Sequence, residues 1–175
     1  MPFAIELGLD GESAGPVRSL WRRLAEAGIR YMADSGAEPH VSVAIWDDLR
    51  VERAAIEVAA LVTQTAPVPL SFTQVRTFGA EVVYLAVAPS ARLVDLHARV
   101  QARIGPLGDG AWEHYAPGAW IPHCTLAMDL DTGTAATALA LATGFALPLT
   151  GRLDRMAIVE FRPVRERFCQ PLTGR

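Results

Sequence analysis

The chain is poor in cysteine: only Cys124 and Cys169 occur in 175 residues, too few for the disulfide framework of a small secreted fold. No apolar run approaches the roughly 20 residues of a membrane-spanning helix. Charge of one sign is also lacking. A net charge of −3 and a pI near 5.8 remove the broad basic face that long duplex nucleic acid needs, although a local cationic cleft would still suit a small or end-bound phosphorylated ligand. Acidic residues arrive early (Glu6, Asp10), unlike the cationic leader of an exported chain. These absences predict a reducing, cytoplasmic setting with no membrane segment. Present in quantity is apolar side chain, 51% of the sequence, enough for a substantial core in one domain or two small lobes.

Two stretches 83 positions apart nearly repeat each other: Pro39-His40-Val41-Ser42-Val43-Ala44 and Pro122-His123-Cys124-Thr125-Leu126-Ala127. In each, proline precedes histidine, a hydroxyl residue stands two positions on and an alanine two beyond that, with apolar residues between. This is strand alternation. His40, Ser42 and Ala44 are expected on one face, as are His123, Thr125 and Ala127, with Cys124 among the core-facing residues.

The surrounding pattern repeats as well. Phe3 to Leu9 alternates as a half-buried strand, with Ala4, Glu6 and Gly8 on its less apolar face. A helix is expected from about 15 to 27, with Pro16 in its first turn and Gly28 at its stop. The first histidine strand should run to Trp46, and Asp47 and Asp48 are capping candidates for a helix carrying Val51, Ala55, Val58 and Val62. Strands from 70 to 78 and 82 to 88 flank a turn at Gly79. Ser90 then caps a helix ending at Gly105, and a loop from 105 to 118 leads to the second histidine strand. A helix from 134 to 143 and strands over 147–153 and 156–161 follow. The order strand, helix, histidine strand, helix, strand thus occurs twice, over about 3–78 and 81–165, which reads as an internal duplication. The expected architecture is α+β: two lobes with antiparallel sheets around a central groove, helices outside, in one bilobal domain spanning 1–175. A pseudo-twofold axis would bring the histidine strands together at the groove.

Two histidines on opposite sides of a phosphodiester can take a proton from the attacking oxygen and give one to the leaving oxygen. Hydroxyls on the same faces, Ser42 and Thr125, would hold the non-bridging phosphate oxygens. The near symmetry leaves open which histidine is base and which acid.

The paired motifs His40-Val41-Ser42 and His123-Cys124-Thr125, each after proline and each in a matching repeat, resemble the 2H phosphoesterase superfamily, most closely its 2'-5' RNA ligase-like branch. The closing stretch Val159-Glu160-Phe161-Arg162-Pro163-Val164-Arg165 is similar to that branch's C-terminal strand. The resemblance implies a bilobal fold with metal- and cofactor-independent hydrolysis of 2',3'-cyclic phosphates on RNA ends or small cyclic nucleotides, commonly leaving a 2'-phosphate, with 2'-5' joining of RNA ends in some members. It matches His40 and His123 to the catalytic histidines and Ser42 and Thr125 to the phosphate-binding hydroxyls. No protein partner is implied.

Further groove candidates follow from the strand faces. Glu6 and Tyr84 hold matching places in the two halves, on the histidine side. Trp46, on the His40 face, is placed to stack a base, a contact worth about 1–3 kcal/mol. Trp112, Tyr115 and Trp120 flank the second motif, and Arg76, Arg162 and Arg165 are the candidate phosphate cations. His97 shares a helix face with Leu93, Val100 and Ile104 and reads as a core-edge residue; His114 lies in the loop before the second motif. Metal sites take three or four ligands with carboxylate or thiolate help, which two histidines do not supply. The competing readings are a non-catalytic module that binds a nucleotide or RNA end in the same cleft, and a metal-dependent hydrolase.

Overall fold

The computed structural model describes residues 1–175. The elements in order are β1 (Phe3–Leu9), α1 (Gly11–Glu26), α2 (Tyr31–Asp34), β2 (His40–Leu49), α3 (Val51–Thr63), β3 (Val68–Phe78), β4 (Val82–Val87), α4 (Ala91–Ile104), β5 (Gly108–Ala111), β6 (His123–Ala127), α5 (Thr132–Thr143), β7 (Leu149–Glu160) and β8 (Arg165–Pro171), with 3₁₀ turns at Gly105–Leu107 and Glu113–Tyr115. No helix is long and apolar enough to cross a membrane.

The fold is α+β and its strand pairs are antiparallel, in the order β5-β2-β1-β7-β3-β4-β6 with β8 also on β7. β1 lies between β2 and β7, and β4 lies between β6 and β3. The strand that ends each half of the chain therefore pairs with the strand that begins the other half. Pairing of β3 with β7, from Val68↔Leu153 to Phe72↔Leu149, joins the halves into one continuous sheet rather than two. That sheet curls until Cα atoms of β2 and β6 come within 8 Å of each other.

Helix faces bury against the outer side of the sheet. Val17, Leu20 and Leu24 of α1, Val58 and Leu61 of α3, and Leu93, Leu96 and Val100 of α4 join Ile5, Leu7, Val41, Val43, Leu85 and Leu126 in one core. Each such side chain contributes about 1.5–3 kcal/mol of transfer free energy. Ala4, Glu6 and Gly8 are left on the inner face of β1, where they border cavities.

Several boundaries differ from the sequence reading. α1 starts at Gly11 because the Asp10 carboxylate accepts the Ser13 N–H at 2.8 Å, so Pro16 lies inside the helix rather than in its first turn. β2 runs on through Asp47 and Asp48, which cap nothing in α3. β5, expected as loop, pairs there through Trp46↔Ala111 and Asp48↔Asp109, and Asp47 instead accepts the Trp112 indole N–H at 2.9 Å. Gly108 makes the pairing possible, since a Cβ there would stand 2.4 Å from the Trp46 ring. The two strands expected over 147–161 are the single strand β7, and β8 follows as an additional strand.

Candidate active site

His40 opens β2 and His123 opens β6. Both line one cavity of about 550 Å³, together with Ser42 and Thr125. The curl of the sheet brings them together, since β6 ends the sheet and the first half of β2 has no partner beyond β1.

The two histidines are fixed in the same way. His40 Nδ1 lies 2.6 Å from the Glu38 carbonyl oxygen, and His123 Nδ1 lies 2.7 Å from that of Ile121. A carbonyl only accepts, so each Nδ1 carries the proton and donates. Each Nε2 is left outside that bond, a proton acceptor when the ring is neutral and a donor when it is charged.

A matching irregularity shapes both strands. Between β1 and β2 the register steps from Glu6↔Ser42 to Ile5↔Ala44, and between β4 and β6 from Tyr84↔Thr125 to Val83↔Ala127. One residue in each motif strand, Val43 or Leu126, has no partner, and such a bulge inverts the alternation beyond it. Ala44 and Ala127 therefore turn into the core, while Ile45 and Met128 line the cavity. Trp46, expected beside His40 as a stacking platform, is for the same reason buried in the core at 1% exposure.

The environments of the two histidines differ. Glu6 Oε1 stands 3.4 Å from His40 Nε2. Burial pushes the Glu6 carboxyl up from its ordinary value, the His40 charge pulls it down, Glu166 adds to the rise and Arg155 opposes it. At the matching position in the other half stands Tyr84, which is buried rather than open to the cavity. Its ring stacks on Phe78 at 4.2 Å, and the Phe78 and Tyr84 rings lie 5.0 and 5.2 Å from the His123 ring. Burial there holds His123 below the usual histidine value; the Ile121 carbonyl raises it and the charge on His40 lowers it further. Tyr115 lines the cavity near Glu6 and Ser42, and its phenol is pushed up to about 12, chiefly by burial and next by the Glu6 charge. It stays protonated as a donor. Cys124 lies beneath the site, buried, its thiol likewise raised to about 12 by desolvation.

Trp120 is not part of the cavity. It stacks on His97 with ring centroids 4.2 Å apart and donates its indole N–H to the Ser42 carbonyl at 3.0 Å. Trp21 of α1 donates in the same way to the Thr125 carbonyl, at 3.1 Å. His97 is buried, and Gln101 beside it donates to the carbonyls of Val43 and Tyr115. The Trp120 and Gln101 bonds moor the 112–120 segment to β2.

Of the three candidate cations, Arg162 lines the cavity, reaching Asp129 Oδ1 at 3.4 Å. Arg76 lies outside, its Nε donating to Gln74 at 2.8 Å, and Arg165 is exposed outside it as well. His114, Trp112 and Phe161 complete the rim. Phe78, the last residue of β3, and Phe161, in the turn just past β7, were missed in sequence because alternation stops assigning a face where a strand ends. No group of three or more His, Cys, Asp or Glu side chains converges as a metal-binding cluster.

Two imidazoles and two hydroxyls thus line one cavity at the mouth of a curled antiparallel sheet. A model of the 2'-5' RNA ligase superfamily matches residues 12–164, and the chain belongs to that family. No curated protein sequence matches it. Similar solved structures include a Thermus thermophilus protein (TM-score 0.60, 19% identity, 99% of each chain covered). Escherichia coli LigT complexed with 3'-AMP superposes with a TM-score of 0.59 at 15% identity, over 98% of this chain and 96% of that one. Kluyveromyces marxianus Usb1 does so at 0.51 and 12%, over 98% and 97%. At these identities the likeness is one of fold.

Proposed function

We propose that this protein is a metal-independent phosphodiesterase that hydrolyses 2',3'-cyclic phosphates of RNA ends or small nucleotides. His40 and His123 act as the proton-transfer pair, and Ser42 and Thr125 hold the phosphate. The observation that carries the reading is the paired geometry: each Nδ1 is tied to a carbonyl two residues back, leaving two Nε2 atoms to serve one cavity. One nitrogen takes the proton of water as it attacks phosphorus, and the other protonates the ribose oxygen as the ring opens. The same sequence with the 5'-hydroxyl of a second end in place of water, and the 3'-oxygen leaving, forms a 2'-5' bond, so ligation is available to the same residues. Arg162 and the Tyr115 phenol are the donors placed for the remaining phosphate and sugar oxygens. That LigT has been crystallised with 3'-AMP, and also with phosphate, supports a nucleotide phosphate as the occupant here.

The test is turnover of 2',3'-cyclic nucleotides and of a short RNA ending in a cyclic phosphate, with EDTA present. Wild type is expected to form product at a rate indifferent to the chelator. His40→Ala and His123→Ala should each lose about two to four orders of magnitude while remaining folded by circular dichroism. Loss of activity on chelation would identify a metal-dependent enzyme instead. Nucleotide binding without product, unaffected by either histidine substitution, would identify a binding module.

A further inference from the structure

The two hydroxyl residues of the cleft sit on strands that have no ladder between them. Leu9 N–H donates to the Pro39 carbonyl at 3.0 Å and Val87 N–H to the Pro122 carbonyl at 3.3 Å. Antiparallel pairs alternate between bonded and unbonded positions, so Ser42, paired with Glu6, and Thr125, paired with Tyr84, fall at unbonded positions. Their carbonyls point off β1 and β4 toward the seam where β2 and β6 face each other. Neither strand has a further neighbour there.

In place of a strand, each carbonyl meets an indole. Trp120 donates to Ser42 at 3.0 Å and Trp21 to Thr125 at 3.1 Å. Both bonds cross between the halves, since Trp21 belongs to α1 and Trp120 to the segment leading into β6. We propose that Trp21 and Trp120 are positioning residues, whose N–H groups stand in for the missing ladder and set the Thr125 and Ser42 hydroxyls in the cleft. This inference rests on the phosphodiesterase reading, in which those hydroxyls hold the phosphate, and adds what holds them.

The arrangement is repeated within the chain. Trp21 and Gln101 stand at the same count from the N-caps of their helices, Asp10 and Ser90. Gln101 donates to the carbonyl of Val43, the bulged residue of β2, at 3.2 Å. Each of these helices thus lays a donor from the same place onto the motif strand of the other half.

The direction of each indole N–H is fixed by its surroundings. Trp21 is buried in the core. Trp120 lies parallel to the His97 ring, with centroids 4.2 Å apart and an interplanar angle of 4°, and His97 is itself tied to the Tyr115 carbonyl at 2.8 Å. Side chains locked in this way hold the residues they bond within a narrow range. A carbonyl deprived of its donor is unfavourable when buried, so the strand would shift toward another partner and carry its hydroxyl away from the phosphate.

The experiment removes the N–H and keeps the ring. Site-specific replacement of either tryptophan by benzothienylalanine puts sulfur where the indole has N–H; Trp120→Phe, on a half-buried ring, is the second variant. All are measured at a temperature where circular dichroism shows them folded. In backbone NMR of the substrate-free protein, loss of the Trp120 N–H should shift the amide signals of Ser42 and Val43 and spare those of Thr125 and Leu126. Loss of the Trp21 N–H should do the reverse. Unchanged signals on the braced strand overturn the proposal whatever the enzyme acts on.

Kinetics on a 2',3'-cyclic nucleotide separate positioning from general support. Each replacement should lower kcat by about 10- to 100-fold, the cost of a misplacement near 1 Å, with KM within about twofold. In Ser42→Ala, which has no hydroxyl to place, the Trp120 replacement should cost no more than about twofold further, whereas in Thr125→Val its cost should be undiminished. The Trp21 replacement should show the mirror pattern. Equal costs in both backgrounds, or an unchanged kcat, overturn the assignment. A wild type inactive on every cyclic phosphate overturns the phosphodiesterase reading itself, and the amide signals then still decide whether the indoles hold the two strands.

Discussion

Ser42 and Thr125 are the smallest functional side chains at the site, and their proposed effect is large because charge develops on the phosphate in a cavity with few other donors. Losing one donor to a developing oxyanion costs about 10² to 10³ in rate. Ser42→Ala and Thr125→Val are each expected to lower kcat by about that factor, with KM little changed, in steady-state assays on a 2',3'-cyclic nucleotide. Glu6 has a further consequence at this scale. Its carboxyl is raised in the folded protein, chiefly by burial, from the ordinary 4.5. The folded state then holds the Glu6 proton more tightly than the unfolded state. This contribution to stability is fully present below 4.5 and is lost as pH rises through the raised value. Glu6→Gln keeps the shape without the charge, so it should melt above wild type at pH 7.5 and level with it near pH 4 in thermal denaturation. An unchanged or lower melting temperature at pH 7.5 would mean that the ionised Glu6 is fully compensated by Arg155 and His40.

Among the elements, the motif strands depend on a defect in their own regularity. The bulges at Val43 and Leu126 let His40, Ser42 and Ile45 share the cavity with His123, Thr125 and Met128. They also leave Ala44, Trp46 and Ala127 to the core. Alternation read straight through the bulge put Trp46 on the wrong side, because a bulge is decided by pairing with β1, which local sequence does not contain. The start of α1 follows a signal that is local in sequence. Asp10 is a strong N-cap type, and it also accepts the Arg152 N–H at 2.9 Å, tying α1 to β7. Asp10→Ala is expected to lower unfolding free energy by about 1–2 kcal/mol in urea titration, leaving kcat/KM within twofold, since Asp10 lies outside the cavity.

For the molecule as a whole, electrostatics limit the substrate. The cavity has one arginine, Arg162, and carries Glu6 and Glu81 on its walls, in a chain of net charge −3. A long RNA would need a cation for each further phosphate it lays down. The expected outcome is that kcat/KM for a cyclic mononucleotide and for an RNA end agree within about tenfold. The log-log salt dependence for the RNA should be no steeper than about −1.4, the value for two phosphate contacts at −0.7 each. A steeper slope would place additional RNA on the outer surface.

By itself the sequence determined the α+β character, the two histidine strands and the His-x-hydroxyl spacing. Period-two alternation and an 83-residue repeat are local patterns that survive whatever the chain packs against. The tertiary structure decided what depends on partners distant in sequence. Strand exchange between the halves and the curl of the sheet set β6 against β2. Pairing with β1 and β4 set the bulges, and the β7–β8 hairpin delivered Arg162 to the rim. Glu6 was legible as a residue on the right face. That it stands 3.4 Å from one histidine, while aromatic rings surround the other, follows from the registers of two strand pairs, and this difference breaks the symmetry that the sequence presents.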